Sequence, residues 1–136
     1  MNVWTGGTFD LLHPGHIHLL HECAKRGRVT VAVNTDEFVA QFKDPPVQSL
    51  GERLTMVGAV RFVHKVQVNP GGREQARLIL EAHTNLIVVG DDWEDRDYAG
   101  QLGVTNDWLA NHGISVEYFP RIPGYSTTKL KAQVRG

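Results

Sequence analysis

The sequence predicts an α/β fold: a Rossmann-like parallel sheet with helices on both faces, in a single domain over residues 1–136. Continuous apolar runs such as VTVAV at 29–33 and LIVVG at 86–90 are typical of strands buried on both faces of a sheet. Segments with helical periodicity separate these runs, and this alternation favours right-handed βαβ units. A chain of 136 residues is long enough to bury one core.

The first half of the chain alternates strand and helix. We predict, in order, a strand at Val3-Trp4, a helix over 15–26, a strand over 29–33, a loop over 34–48 with one helical turn near 36–40, and a helix from Ser49 to about Arg61. Gly27 is a suitable end for the first helix. Ser49 with Glu52 three residues later forms a capping-box pattern for the next one.

The second half continues the pattern. We predict, in order, a strand over 63–68, a helix over 73–83, a strand over 86–90, a polar segment over 91–104, a helix over 105–111, a strand over 116–119, and a helix from Ser126 to about Val134. Unusual polar clusters follow four of the strands, at 6–9, 34–36, 90–93 and 121–128. Ligands of such sheets bind beyond the carboxyl ends of the strands, so these clusters predict one shared site.

Composition excludes several function classes. The net charge of -1 gives no general basic surface for nucleic acid. Cys23 is the only cysteine, which excludes an intrachain disulfide and favours a reducing compartment. We recognise neither a signal peptide nor an apolar stretch near the ~20 residues that a membrane helix needs. The expectation is a cytoplasmic protein without membrane insertion.

The stretch GTFDLLHPGH at 7–16 has the features of a phosphate site. Pro14 suits the first turn of a helix, and His13 and His16 can face one side of that turn. The free N–H groups and the positive end of the helix dipole favour an anion there. A structural helix cap is the competing interpretation of the histidine pair.

These residues resemble a known family. GTFDLLHPGH resembles the HxGH motif of the nucleotidyltransferase superfamily, and PGYSTTKL at 123–130 resembles its second motif. Within the superfamily the chain is most similar to glycerol-3-phosphate cytidylyltransferases. That similarity includes TDEF at 35–38, Glu52-Arg53 with Arg61, GDDWE at 90–94, and the segment 121–129.

The resemblance implies a mechanism without a protein nucleophile. A phosphate oxygen of a small alcohol phosphate, glycerol 3-phosphate first among the candidates, attacks the α-phosphorus of CTP, and pyrophosphate leaves. Mg²⁺ accompanies CTP, and no protein ligand for it is implied. Cys23 fits the helix-packing pattern and is expected in the core. Relatives are commonly dimers, so a homodimer is expected.

The resemblance also assigns residues. The catalytic candidates are His13, His16, Arg61, Ser126 and Thr127. The candidates for binding substrate and nucleotide are Gly7, Thr8, Phe9, Asp10, Asp36, Lys43, Arg53, Asp92, Trp93, Arg121 and Thr128. Arg53 and Arg61 are eight residues apart, about two helical turns, so both are expected to face one cleft near the acceptor phosphate. Caps, surface charges and solvated loop pairs are the competing interpretations of these residues.

Two features depart from the cytidylyltransferase pattern. The loop VAQFKDPPVQ at 39–48 contains Lys43 as its only lysine, and the segment 95–113 is longer than in compact relatives. VAVNTD and GYSTT also resemble heptose-phosphate adenylyltransferases, whereas GDDW and Arg121 favour cytidine. Ethanolamine phosphate or a pentitol phosphate is an alternative acceptor.

Two further classes are alternatives. One is a nucleotide-binding regulator without catalysis, against which the intact motifs argue. The other is a zinc module formed by the histidines at 13, 16, 18 and 21 with Cys23. It is disfavoured because His18 lies about 200° around a helix from His16.

Overall fold

The computed structural model describes residues 1–121, 124 and 126–135, so Pro123 and Tyr125 of the second motif lie outside the described residues. The sheet has five parallel strands in the order β3-β2-β1-β4-β5. They are Asn2–Gly7 (β1), Arg28–Asn34 (β2), Lys65–Asn69 (β3), Leu86–Gly90 (β4) and Ser115–Phe119 (β5). The predicted Rossmann-like fold class is therefore confirmed. The strand order reverses at β1, where a ligand crevice is expected.

Seven helices connect and flank the strands in the described part of the chain. They are Pro14–Arg26 (α1), Asp36–Val39 (α2), Leu50–Gly58 (α3), Glu74–Glu81 (α4), Tyr98–Gln101 (α5), Asn106–Asn111 (α6) and Thr127–Arg135 (α7). A single 3₁₀ turn, Asp91–Trp93, follows β4. None of the described helices has the length and apolar content needed to span a bilayer.

The core lies on both faces of the sheet. On one face Trp4 of β1 packs in a cluster with residues of α4, α5 and α6, among them Ile79, Tyr98 and Leu109. On the other face a valine-rich cluster contains Leu20 of α1 and Val57 of α3. Burying both faces explains why the strands have continuous apolar runs rather than alternating ones.

Two predicted helix boundaries are confirmed in detail. The Ser49 backbone N–H donates to the Glu52 carboxylate over 2.9 Å, and the Glu52 N–H donates to the Ser49 hydroxyl over 3.1 Å. The Gly27 N–H donates to the Cys23 carbonyl, which closes the end of α1. These reciprocal and terminal bonds satisfy helix-end groups that otherwise have no partner within the helix.

Two predicted elements need correction. α3 ends at Gly58 and not near Arg61, because the chain leaves the helix through a turn before β3. The segment 91–104 was predicted only as a polar segment, without a helix, but it contains α5. This short helix is capped by the Asp97 carboxylate, which accepts from the Gly100 N–H, and it buries Tyr98.

Cys23 belongs to the core, as expected. Its side chain is fully buried among the residues of the valine-rich cluster. Burial raises the pKa of its thiol to about 12, so the sulfur stays protonated near neutral pH. This environment suits packing and not nucleophilic chemistry.

Candidate active site

A cavity of about 530 Å³ opens along the carboxyl ends of the strands. It brings together eleven of the sixteen predicted site residues: Gly7, Thr8, His13, His16, Lys43, Asp92, Trp93, Arg121, Ser126, Thr127 and Thr128. These residues come from both ends of the chain and from the loops after β1, β2, β4 and β5. The prediction that the polar clusters lie together beyond the carboxyl ends of the strands is thus confirmed.

The histidine pair is held in one tautomer by the backbone at the start of α1. His13 is the N-cap, and its Nδ1 accepts from the Gly15 N–H over 3.1 Å. The Nδ1 of His16 accepts from the His13 N–H over 3.2 Å. A backbone N–H can only donate, so each neutral ring carries its proton on Nε2. Each ring therefore serves both as a structural cap and as a polarised donor.

Both imidazoles are neutral near neutral pH. Burial, helped by His13 and Lys43, lowers the pKa of His16 to about 3. Burial also lowers the pKa of His13. The ring centroids lie 3.9 Å apart, a distance at which two imidazolium cations would repel strongly. The pair thus presents neutral N–H donors, which can bind phosphate oxygens without transferring a proton.

The start of α7 lies at the same cavity. The Ser126 hydroxyl accepts from the Lys129 N–H over 3.0 Å, as an N-cap does. The Thr127 hydroxyl donates to the Asp10 carbonyl over 2.8 Å, which fixes α7 against the loop after β1. The positive ends of α1 and α7 therefore converge on one space, and such ends favour anions.

The turn after β1 is conformationally constrained. A Cβ on Gly7 would lie 2.9 Å from the Phe9 ring, closer than side chains tolerate. Phe9 itself has a φ of 53°, in the left-handed region. Its ring is buried and lies 5.5 Å from that of His16, so it supports the imidazole from behind and does not face the cavity.

An ion pair lies in the half of the cavity beyond β4 and β5. Arg121 Nη2 lies 2.7 Å from Asp92 Oδ2, joining the chain segments after β4 and β5. A Cβ on Gly90 would lie 2.7 Å from the other Asp92 oxygen, so glycine leaves room for this arrangement. The Trp93 ring packs 5.5 Å from that of Tyr98, and Arg96 covers it at 5.4 Å.

Five predicted site residues lie outside the described lining of the cavity: Phe9, Asp10, Asp36, Arg53 and Arg61. Arg53 is fully buried, and it donates to the carbonyls of Thr8 over 3.0 Å and Asn34 over 2.7 Å. Its other bonds go to the Gln48 carbonyl and the Asp36 carboxylate. Arg53 and Asp36 therefore hold the loops after β1 and β2 together.

The expectation that Arg53 and Arg61 face one cleft is wrong. Because α3 ends at Gly58, Arg61 lies beyond the helix and its guanidinium stacks 4.9 Å from the Phe62 ring centroid. It borders a separate apolar groove with Met56 and Ile17, and this groove shares His13 with the main cavity.

Asp10 is part of the framework beneath the site. Its carboxylate accepts from the Val47 N–H over 2.7 Å and the Gln48 N–H over 2.9 Å, and it lies 3.3 Å from Lys131 of α7. Burial alone would raise the pKa of Asp10, but these partners outweigh burial and lower it. Asp10 is therefore an ionised anchor that ties the 45–48 segment and α7 to the first motif.

Lys43 is the cation that the loop after β2 brings to the cavity. The residue is exposed overall, while partial burial of its ammonium and the nearby charge of Lys131 lower its pKa. The sequence predicted its position here but gave no partner for it.

Three cavity residues were not among the predicted site residues. Asn34, Asn69 and Gln75 line the cavity and are almost fully buried. Asn34, the last residue of β2, belongs to the polar cluster predicted at 34–36. Asn69 is the last residue of β3, and a polar residue ending an apolar strand is the signal that could have found it as well. Gln75, inside α4, stands out only once its contacts are known.

The remaining histidines of the first helix pack on aromatic rings. His18 lies 5.4 Å from Phe119, and His21 stacks on Phe62 at 4.5 Å. Across the described ranges, no three histidine, cysteine, aspartate or glutamate side chains come together in a group that could hold a metal ion.

Comparison with known proteins agrees with this geometry. Residues 4–133 match the cytidylyltransferase-like family. The chain belongs to that family. It is 35% identical over 135 residues to the glycerol-3-phosphate cytidylyltransferase of Bacillus subtilis, covering 98% of this chain and 97% of that protein. This cytidylyltransferase-like protein is accordingly a nucleotidyltransferase.

Other proteins similar to this cytidylyltransferase-like chain are longer or share a smaller fraction of its sequence. It is 38% identical to the bifunctional protein HldE of Halorhodospira halophila, covering 98% of this chain but 27% of that one. A lipopolysaccharide core biosynthesis protein from Thermoplasma volcanium superposes with a TM-score of 0.69 at 27% identity, over 93% of this chain and 98% of that one. Pantothenate synthetase from Thermus thermophilus shares the fold, with a TM-score of 0.55 at 14% identity over 96% of this chain and 64% of that one.

Proposed function

We propose that this protein transfers a cytidylyl group from CTP to glycerol 3-phosphate, giving CDP-glycerol and pyrophosphate. The observation that carries the proposal is the meeting of two neutral imidazole donors and two helix N-termini in one cavity. The near full-length similarity to a glycerol-3-phosphate cytidylyltransferase supports the choice of substrates.

The reaction proceeds by direct displacement in this proposal. A phosphate oxygen of glycerol 3-phosphate forms a bond to the α-phosphorus of CTP as the bond to the β-phosphate oxygen breaks. The departing pyrophosphate takes the bonding electrons. The chain's task is to position the two anions and to stabilise charge on the transferred group and the leaving group.

The triphosphate is proposed to lie between α1 and α7. The Nε2–H groups of His13 and His16 donate to its oxygens, and Gly7 and Thr8 hold a phosphate in the turn. Ser126 and Thr128 border the start of α7, whose positive end faces the same anion. Thr127 fixes α7, because its hydroxyl proton already goes to the Asp10 carbonyl.

The nucleoside is proposed to occupy the half of the cavity beyond β4 and β5. Asp92, Trp93 and Arg121 line that half and offer an acceptor, a ring and a guanidinium to cytosine and ribose. Lys43 lies on the other side and supplies positive charge for the acceptor phosphate. Arg61 adds positive potential from the groove that shares His13.

Magnesium is proposed to enter as part of the CTP complex. Among the described residues that line the cavity, Asp92 is the only carboxylate, and it is already paired with Arg121. The donor set thus fits a cation carried by phosphate oxygens. We also propose that the domain spans residues 1–136 and that the protein forms a homodimer, which light scattering would detect as twice 15.2 kDa.

Adenylyl transfer to a heptose 1-phosphate is the second candidate. It is favoured by the similarity to HldE and by the loop with Lys43 as its single lysine. The Asp92–Arg121 pair and the similarity to the Bacillus subtilis protein favour cytidylyl transfer.

Pyrophosphate release tests the proposal. The protein is incubated with magnesium and either CTP or ATP, together with glycerol 3-phosphate, ethanolamine phosphate, ribitol 5-phosphate or a heptose 1-phosphate. We expect release with CTP and glycerol 3-phosphate. Release with ATP and the heptose phosphate alone would support the second candidate, and no release with any pair would contradict nucleotidyl transfer to these acceptors.

A further inference from the structure

Three buried amide side chains form a continuous hydrogen-bonded chain beside the proposed phosphate site. Asn34, Asn69 and Gln75 are 6%, 1% and 2% exposed, and all three line the cavity. Asn69 Nδ2 lies 3.2 Å from both Asn34 Oδ1 and Gln75 Oε1. We call these three residues the amide chain.

Backbone groups set the direction of the amide chain. The Gln75 amide lies 2.9 Å from the Gln101 carbonyl and 3.3 Å from the Gly72 carbonyl, so the atom facing them must be the nitrogen. The Gly71 N–H donates to Asn69 over 3.0 Å, so the atom facing it must be the oxygen. The Asn69 nitrogen is then the donor to Asn34, and the atom of Asn34 that accepts is its oxygen.

This direction leaves the Asn34 nitrogen as the outer end of the chain. In the residues that the structure describes, Asn34 Nδ2 has no hydrogen-bond partner, and it is not among the fully buried unpaired atoms. It is therefore reachable from the cavity that Asn34 lines. The Thr8 hydroxyl also has no partner among the described residues, but it is fully buried and does not reach the cavity.

The backbone holds these two groups at neighbouring strand ends. Arg53 Nη1 donates to both the Thr8 and the Asn34 carbonyls, which clamps the ends of β1 and β2 together. A polar group at such depth destabilises the fold unless a ligand or water pairs with it. The Asn34 N–H donor, which reaches the cavity, suits a ligand group that accepts a hydrogen bond, such as a hydroxyl oxygen.

We infer that Asn34 is a specificity residue that donates from Nδ2 to a hydroxyl oxygen of the acceptor, with Asn69 and Gln75 as positioning residues. The ligand class is a polyhydroxylated phosphate without a positive charge. This inference rests on the proposed function for the location of the acceptor. The strand order supports that location, because β2 and β3 lie across β1 from the Asp92–Arg121 half of the cavity.

The charge of this half excludes a cationic acceptor. The described cavity residues from β2, β3 and their following segments are amides, the rings of Phe38 and Phe42, and Lys43. None of them is a carboxylate, so an ammonium group such as that of ethanolamine phosphate would find no counter-charge there. A neutral hydroxyl finds a donor without that electrostatic cost.

Calorimetric binding of two matched phosphates tests the inference. Glycerol 3-phosphate and 3-hydroxypropyl phosphate differ by the secondary hydroxyl, and both are titrated into the full chain. We expect the wild type to bind glycerol 3-phosphate about tenfold more tightly, which is the usual worth of a well-paired hydrogen bond in a desolvated site. Asn34→Ala should reduce that ratio to near one while leaving CTP affinity unchanged.

Matched variants distinguish loss of hydroxyl recognition from loss of the folded structure. Asn34→Asp keeps the side-chain shape and the bond from Asn69 but removes the donor, so it should lose the preference even if Asn34→Ala does not fold. Asn85→Ala is the control. Asn85 lies just before β4, at the amino ends of the strands, where its side chain accepts from the Asn2 N–H. This variant should keep the preference for glycerol 3-phosphate.

The outcomes distinguish this inference from the proposed function. A wild type with no preference for the hydroxyl, or with no binding of either phosphate, overturns the inference. Retention of the preference in both Asn34 variants overturns it as well. If the preference depends on Asn34 but no pyrophosphate forms from CTP, the proposed function fails and the hydroxyl site stands.

Discussion

The backbone N–H of His13 donates to Nδ1 of His16 over 3.2 Å, so the first histidine of the pair sets the tautomer of the second. The same bond is half of the cap of α1, whose other half is the bond from the Gly15 N–H to His13. Helix capping and orientation of the Nε2–H donors thus depend on the same two side chains.

Replacing His16 should abolish most activity and leave the fold intact. His16→Ala removes one donor to the developing phosphate charge, for which a loss of about 10²- to 10³-fold in kcat is typical. Steady-state pyrophosphate release measures this loss. The control is His64→Ala, an exposed histidine before β3, which should keep wild-type kcat. Equal rates in the two variants would remove His16 from the proposed mechanism.

The free energy of unfolding should decrease as the pH is lowered, partly because of His16. Its pKa is about 3 in the folded protein and 6.5 when unperturbed, so the unfolded chain binds more protons between these values. The contribution is present in full above pH 6.5 and is lost progressively as the pH falls toward the folded value, by up to about 1.4 kcal/mol per pH unit.

Urea denaturation at several pH values checks this dependence. We expect the free energy of unfolding of the wild type to decrease more steeply below about pH 6 than that of His16→Gln, which does not titrate. Parallel slopes for the two proteins would show that His16 is not buried in its neutral form.

Removing the Asp10 carboxylate should lower the free energy of unfolding, because Asp10 holds the 45–48 segment and α7 against the loop after β1. Asp10→Ala leaves the Val47 and Gln48 N–H groups without their acceptor and Lys131 without its counter-charge. A cost of about 3–5 kcal/mol is expected for breaking a buried, hydrogen-bonded ion pair. Chemical denaturation measures it, and hydrogen exchange should show faster exchange at Val47 and Gln48.

An exposed aspartate provides the comparison for Asp10. Asp107→Ala in the first turn of α6 should cost less than about 1 kcal/mol, the range of a surface helix charge. If Asp10→Ala costs no more than this, the carboxylate is not the anchor described above.

Lysine should not replace Arg53. The guanidinium reaches three carbonyls and the Asp36 carboxylate from a fully buried position. An ammonium cannot match that planar set of donors, so Arg53→Lys should lower the free energy of unfolding by about 2–4 kcal/mol. Arg61→Lys, at an exposed position, should change it by less than about 0.5 kcal/mol. Similar values for both variants would contradict the framework role of Arg53.

Local patterns were sufficient to predict most of the fold. Continuous apolar runs identified the buried strands, and the Ser49–Glu52 capping box located the start of α3. α5 was missed because it is only four residues long and depends on the Asp97 cap and the burial of Tyr98. The end of α3 was misplaced although Gly58, the last residue of the helix, is a residue type common at helix ends.

The site could be predicted less completely, because motif membership does not specify which way a side chain points. The first motif made His13, His16 and Asp10 equal candidates for the site. In the structure the two imidazoles line the cavity, while the carboxylate is buried beneath it. Arg53 similarly turned inward toward backbone carbonyls. Asn69 and Gln75 were missed because their significance lies in contacts between distant segments, which no local pattern encodes.

Phosphorus NMR of one reaction identifies the products of the proposed cytidylyl transfer. The protein is mixed with CTP, magnesium and glycerol 3-phosphate, and the products are identified by their resonances. We expect CDP-glycerol and pyrophosphate in equal amounts, and we expect His16→Ala to form both about 10²- to 10³-fold more slowly. CTP and glycerol 3-phosphate that both persist unchanged, or CTP hydrolysed without a CDP-glycerol signal, would contradict cytidylyl transfer to glycerol 3-phosphate at this cavity.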